Sequence, residues 1–228
     1  MKSLTVIMTA LNEQNNIKEA LLQMHEALSS SLNEFRIVVI DDGSSDRTYE
    51  NATELNLPHV KVLRNERNLG TGKSVSDYFP FIETDFYCWY PTDLELSPYE
   101  IAKALLLIED HDIVVSFITG DERSLWRRFL SKTFTQILNL SFGRELPYYN
   151  GVSLIRRELL PEKSLISSRR FFTHAEILIL SMKEGVKLTT VGFTLFPRSA
   201  GESKAMRLNA FWDVGVNYLK LLSKKMRS

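Results

Sequence analysis

The stretch FRIVVIDDGSSD, residues 35–46, decides the fold. Its first half is an apolar, β-branched run with the composition of a buried strand, and it stops at two carboxylates and a glycine. The residues DDGSSD, 41–46, turn the backbone and carry side-chain oxygens suited to capping a helix. A strand that ends in acidic groups and passes into a helix is the unit of an open α/β sheet, in which ligands bind outside the carboxyl ends of the strands. Asp41 and Asp42 are therefore candidates for gripping the hydroxyls or base edge of a nucleotide. A plain turn with a helix cap accounts for the same residues.

Outward from this stretch the pattern repeats. Residues 4–8 (LTVIM) read as a short strand, and Ile17, Leu21, Met24 and Leu28 recur at helical spacing to give one apolar face. A second helix is expected over 46–55 and another strand over 60–64. Such alternation predicts an α/β fold with a mostly parallel central sheet and helices on both faces.

The segment NERNLGTGKS, residues 65–74, lacks the glycine spacing of a Walker loop, because Arg67 stands where that loop needs glycine. What remains is a glycine-containing turn that opens a helix. It is either structural or a ligand loop whose free N–H groups face an anion, with Gly70 and Lys73 as contacts. Residues 85–90 (DFYCWY) read as a strand that ends in Pro91, Thr92, Asp93, Leu94 and Glu95. Asp93 and Glu95 either hold a divalent ion through hard oxygens or favour the helix that follows, where Ser97 and Glu100 form a capping-box pattern. A strand over 113–117 precedes a helix over 125–140, whose apolar Trp126, Phe129, Leu130, Phe134, Ile137 and Leu138 exceed one stripe beside cationic Arg127, Arg128 and Lys132. Residues 172–176 open another helix, and 192–197 read as the last strand. In the tail, 205–228, Lys220, Lys224 and Lys225 stand with aromatics and leucines against a single acid, Asp213. That composition fits an amphipathic basic helix on an anionic membrane, or a helix docked on the domain or a partner.

The 228 residues, 44% hydrophobic and 25% charged, suit one large globular domain with a small appendage. Zero net charge leaves no electrostatic footprint for nucleic acid, so any anion site is local. One cysteine, Cys88, excludes an internal disulfide, and the four histidines lack metal-ligand spacing, which argues against zinc. No run approaches a membrane span and none resembles a signal peptide. The chain reads as cytoplasmic, with membrane contact limited to its surface.

The motifs TVIMTALNEQNNI, VVIDDGSSD, NERNLGTGKS, PTDLELSP and PRSAGESK occur in the order seen in inverting glycosyltransferases of family 2. The chain resembles the polyprenyl- and dolichyl-phosphate sugar synthases among them, the mannosyl- or glucosyltransferases, from about residue 4 to residue 204. The resemblance implies a GT-A fold over residues 1–204, a Rossmann-like sheet that binds a UDP- or GDP-linked sugar and transfers the sugar with inversion to a lipid phosphate. By position, Ala10, Asn12 and Glu13 line the nucleoside pocket and Asp42 contacts the base or ribose. Asp93 matches the second aspartate of the family's D-x-D motif, with Pro91 in place of the first, and Asp93 with Glu95 holds Mg2+ or Mn2+. Arg123, Arg127 and Arg128 meet the acceptor phosphate. Arg198, Gly201, Ser203 and Lys204 form a lid, in which Arg198 and Lys204 share with Asp93 the stabilisation of the departing diphosphate. The family's aspartate near residue 147 is missing from PYYNGV, and Glu176 matches a recurrent glutamate. A lipid acceptor implies a peripheral place on the inner face of the membrane. Transfer to a glycan hydroxyl and a non-catalytic nucleotide-binding role are the alternatives.

Overall fold

The computed structural model describes residues 2–120, 124–170, 172–195 and 208–225, and gives the backbone alone for 208–212 and 225. The elements run β1 (Leu4–Ala10), α1 (Ile17–Ser29), β2 (Phe35–Asp41), α2 (Thr48–Glu54), β3 (Val60–Arg64), α3 (Thr71–Tyr78) and β4 (Phe86–Pro91). Then follow α4 (Ile101–Leu105), β5 (Ile113–Thr119), α5 (Leu125–Phe142), β6 (Ser153–Arg156), α6 (Thr173–Ser181), β7 (Leu188–Thr194) and α7 (Leu208–Lys225). The strands form one sheet in the order β3-β2-β1-β4-β6-β5-β7. β6 is antiparallel to both of its neighbours, and the other pairs are parallel. The expected architecture, mostly parallel with helices on both faces, is what forms.

Alternation along β2 shows why its sequence is a continuous apolar run. Ile37 and Val39 point into the layer built with α1, α2 and α4, whereas Val38 and Ile40 point into the layer built with α3 and α6. A strand covered on both faces has no polar side to show. The predicted face of α1 is the buried one, since Ile17, Leu21, Met24 and Leu28 have no exposed surface. Truncating one of them, Leu21→Ala, would cost about 2–5 kcal/mol. Leu138 of α5 and Leu221 of α7 are buried in the second layer, so both helices are seated on the domain. Among the described residues no helix is long and apolar enough to cross a membrane.

One strand escaped the sequence reading and two expectations need correction. β6 has no strand signature of its own, being the four residues SLIR, and its close approach to β5 depends on Gly151, where a Cβ would lie 2.1 Å from the Ser116 carbonyl oxygen. β7 begins at Leu188 rather than at 192, because an edge strand that is half-buried carries the polar LTTV segment. The capping box at Ser97 does not form. A single 3-10 turn over Pro98–Glu100 leads into α4, Ser97 makes no side-chain cap, and the Glu100 carboxylate instead accepts the Thr194 amide at 2.8 Å and pairs with Lys103 at 2.6 Å.

Candidate active site

β1 lies between β2 and β4, so the chain order reverses there, and in open α/β sheets ligands bind beyond the carboxyl ends of the strands at such a point. The register sets Ala10 beside Asp41 and Thr9 beside Pro91. Exit loops from β1 and β2 are laced together. The Asp42 amide donates to the Ala10 carbonyl at 2.8 Å, the Asn12 amide to Ser44 Oγ at 2.9 Å, the Ser45 amide to Asn12 Oδ1 at 3.0 Å and the Glu13 amide to Thr48 Oγ1 at 2.8 Å. Asn12 holds this place at φ 57°, a left-handed conformation that asparagine tolerates better than most residues. Glu13 Oε2 accepts Asn16 Nδ2 at 2.9 Å.

Asp41 is fully buried. Its Oδ1 accepts the Ser44 amide at 3.1 Å, and its Oδ2 lies 3.1 Å from Arg64 Nε. Among the described residues that oxygen has no hydrogen-bond donor aligned on it, and its Arg64 contact is an ion pair. Arg64 also donates to the Ser44 carbonyl at 3.1 Å and lies 5.0 Å from the centre of the Tyr49 ring.

Asp42 organises the neighbouring turn. Its Oδ1 accepts Asn65 Nδ2 at 2.8 Å, the Leu69 amide at 3.0 Å and Ser74 Oγ at 2.9 Å, while Oδ2 accepts the Gly70 amide at 2.9 Å. The carboxylate thus occupies the amides that open α3, the place where an external anion would otherwise sit. Oδ2, with one partner, keeps acceptor capacity for a ligand donor. The glycines of the turn serve close packing. A Cβ on Gly70, whose φ is 87°, would lie 2.3 Å from the Arg169 carbonyl oxygen, and one on Gly72 would lie 2.0 Å from Thr173 Oγ1. Lys73 is paired with Asp77, at 2.7 Å to Oδ1, and Lys163 pairs with the same carboxylate.

At the end of β4, Asp93 and Glu95 flank Leu94, which has φ 57°, and Asp93 Oδ1 accepts the Glu95 amide at 3.3 Å. Both carboxylates are partly exposed. Among the described residues no group of three or more His, Cys, Asp or Glu side chains is placed to hold a metal ion. Leu96 forms an isolated antiparallel bridge with Leu195, which sets Leu195 beside the Asp93–Glu95 loop. Arg198, Gly201, Ser203 and Lys204 lie outside the described residues, as does Arg123.

Ser124 Oγ caps α5 by accepting the Arg127 amide at 3.4 Å. Around this helix start, Leu125, Trp126 and Phe129 are 79%, 60% and 58% exposed, the two rings stack at 5.8 Å, and Arg127 and Arg128 are interleaved. On α6, His174 stacks on Trp89 at 3.9 Å, and burial lowers its pKa to about 4. Burial likewise pushes the Cys88 thiol up, which leaves it inert.

Ala10, Asn12, Glu13, Asp41, Asp42, Gly70, Asp93 and Glu95 therefore gather at the carboxyl edge of β1, β2 and β4, with Asp41 fully buried there, whereas Lys73 is engaged by Asp77 and Arg127 and Arg128 stand on a helix of their own. Sequence reasoning missed Asn65 and Ser74 as partners of Asp42; their positions at either end of NERNLGTGKS were the available signal. It also missed Ser44 and Ser45 as the lacing between the two loops.

The glycosyl transferase family 2 model matches residues 5–163, more than half of the chain. The chain belongs to that family. A dolichol-phosphate mannosyltransferase from Pyrococcus furiosus is 30% identical over 210 residues, which cover 88% of this chain and 58% of the relative. An undecaprenyl-phosphate 4-deoxy-4-formamido-L-arabinose transferase from Pseudomonas savastanoi pv. phaseolicola is 29% identical over 223 residues, 94% of this chain and 65% of the relative. The chain thus spans about three fifths of the length of these curated relatives. Among solved structures, glucosyl-3-phosphoglycerate synthase from Mycobacterium tuberculosis, in complex with Mn2+, UDP and phosphoglyceric acid, superposes with a TM-score of 0.74 at 17% identity, covering 97% of this chain and 78% of that one. The family 2 chain accordingly has the GT-A fold of such glycosyltransferases.

Proposed function

We propose that residues 1–204 are the catalytic domain of an inverting glycosyltransferase that moves a sugar from a UDP- or GDP-linked donor to a polyprenyl-phosphate-type lipid, working peripherally at the inner face of a membrane. The observation that carries the acceptor class is the start of α5. Leucine, tryptophan and phenylalanine side chains stand in solvent there beside Arg127 and Arg128, and α5 contains no acidic residue. An apolar and cationic surface of this kind matches a lipid surface that presents phosphate, with guanidinium forks for the phosphate oxygens. The named activities of the dolichol- and undecaprenyl-phosphate relatives agree with it.

On the donor side, Ala10, Asn12 and Glu13 border the nucleoside, with Asp41 below them. Asp42 presents its remaining lone pair, and Gly70 brings backbone close to the phosphates. Lys73 reaches those phosphates by leaving Asp77, which retains Lys163. Asp93 and Glu95 suit Mg2+ or Mn2+. Both are hard oxygen ligands, and such cations are commonly held by one or two carboxylates with the substrate phosphates completing the shell. Held by Asp93 and Glu95, such a cation would supply positive charge against the departing diphosphate. Arg198 and Lys204 add fixed charge from the lid, with Gly201 and Ser203 shaping it, and its closure excludes water. Arg123, Arg127 and Arg128 orient the acceptor phosphate. That nucleophile is ionised near neutral pH, so the reaction requires no general base. His174, neutral down to about pH 4 and stacked on Trp89, is a poor base for a sugar hydroxyl.

Thermal unfolding with UDP, GDP and their sugar derivatives, each with Mn2+, Mg2+ or chelator, tests the donor half. Metal-dependent stabilisation by one nucleotide is expected, because a ligand that binds only the folded state raises the melting temperature. No shift with any nucleotide would refute the reading.

A further inference from the structure

The C-terminal helix is wired to the Asp42 turn through a buried carboxylate. Glu176, in the first turn of α6, has no exposed surface, and its oxygens accept the Ser167 amide at 3.0 Å and the Ser168 amide at 2.8 Å. The cation opposite it comes from α7. Lys224 Nζ lies 3.5 Å from Glu176 Oε1, donates to Ser167 Oγ at 2.7 Å and also reaches the Leu165 carbonyl. This end of α7 is anchored by buried Leu221, and Tyr218 Oη meets Ser141 Oγ of α5 at 2.7 Å.

The segment so held, 165–170, is the wall against which the 65–74 turn is built. The Arg169 carbonyl accepts the Gly72 amide at 3.0 Å and closes off the space beside Gly70. The Ser168 carbonyl, with Thr173 Oγ1, does the same for Gly72. Backbone packed this tightly transmits displacement, since at Gly70 and Gly72 the turn meets the Arg169 and Ser168 carbonyls directly. The amides of Leu69 and Gly70 then fix Asp42.

We propose that Lys224 is a positioning residue for the donor site, carrying the docked position of α7 through Glu176 and residues 165–170 to the turn that clasps Asp42. Lys224 touches no reacting group. Its removal leaves the buried Glu176 carboxylate without a counter-charge among the described residues, a state relieved by protonating it, by moving the 165–168 backbone or by admitting water. Donor affinity thereby depends on whether α7 is seated. The word donor here rests on the function proposed above; the mechanical coupling does not.

Hydrogen–deuterium exchange on the full chain separates the two claims. Lys224→Met should raise exchange of the Leu69, Gly70 and Gly72 amides roughly tenfold or more. Lys224→Arg should restore protection, and Lys220→Met, at an exposed cation of the same helix, should leave it unchanged. The dissociation constant of whichever of UDP or GDP stabilises the wild type should rise by a similar factor in Lys224→Met. If Lys224→Met does not fold, Lys224→Gln serves in its place, since it keeps a donor for the Leu165 carbonyl without the charge. Faster exchange confined to 165–170 and α7, or an equal effect from Lys220→Met, overturns the coupling. Coupled exchange in a protein that binds neither nucleotide supports the coupling and refutes the donor reading alone.

Discussion

Asp42→Asn preserves the shape of the side chain while removing its charge and turning one acceptor into a donor. The amide is best placed with its carbonyl at the Oδ1 position, where Asn65, Leu69 and Ser74 donate at 2.8, 3.0 and 2.9 Å. Its NH2 then faces the Gly70 N–H, which keeps only Asn68 Oδ1 at 3.0 Å. One bond is lost, and the others become bonds to a neutral acceptor. Hydrogen bonds to charged groups contribute about 1.5–3 kcal/mol against about 0.5–1.5 for neutral ones. The carboxylate also sits at the start of α3, where a negative charge contributes about 0.3–1 kcal/mol. Allowing for relaxation of a turn on the surface, the variant should lose about 2–4 kcal/mol. For a chain of this length that is a drop in melting temperature of roughly 4–15 °C, read by circular dichroism without nucleotide. Ser74→Ala, which removes two bonds, the one donated to Asp42 Oδ1 and the one accepted from Asn65 Nδ2 at 2.8 Å, should cost about 1–3 kcal/mol. A melting temperature for Asp42→Asn within about 1 °C of wild type would show that the carboxylate does not hold the 65–74 turn.

His174 is kept neutral by burial, with its pKa lowered to about 4 from 6.5. The stability tied to that neutrality is complete above pH 6.5 and is lost as pH falls toward 4, up to about 3 kcal/mol, so urea titrations of His174→Gln should show a flatter acid limb than wild type. Gly72→Ala brings a Cβ to 2.0 Å from Thr173 Oγ1 and should cost about 1–3 kcal/mol, less in a Thr173→Ala background; equal costs in both backgrounds would remove that contact as the cause. Trp126→Ser with Phe129→Ser should weaken co-sedimentation with anionic vesicles by about tenfold or more at unchanged melting temperature. Wild-type protein that ignores such vesicles would detach α5 from the membrane.

Much of the fold was legible because burial on both faces of β2 writes itself as an unbroken apolar run, and because the inward face of α1 carries the helical period. β6 was not legible. Its four residues are too few to show a period, and its place is set by the Gly151–Ser116 approach, a tertiary event. The acidic ends of β2 and β4 were legible as a shared edge, since chain order alone brings β1, β2 and β4 together. The division of labour between the two aspartates was not. Asp41 is buried against Arg64 and Asp42 is clasped by a turn more than twenty residues on, and nothing in DDGSSD distinguishes them. Glu176 matched a recurrent glutamate, yet its partner Lys224 sits in a tail that read either as a membrane-facing helix or as one docked on the domain or a partner, with nothing to tell its cations apart. Only the docked helix separates Lys224 from the exposed Lys220.

The central claim is transfer to a lipid phosphate dependent on the carboxylates that end β4. The most direct test incubates the chain with labelled UDP- and GDP-sugars, Mg2+ or Mn2+, and either a polyprenyl phosphate in vesicles or soluble saccharide acceptors. Label moving into the lipid phosphate, with inverted anomeric configuration, and lost in a folded Asp93→Ala variant is the result predicted. Label moving only to saccharide hydroxyls, or undiminished transfer by Asp93→Ala, would contradict it.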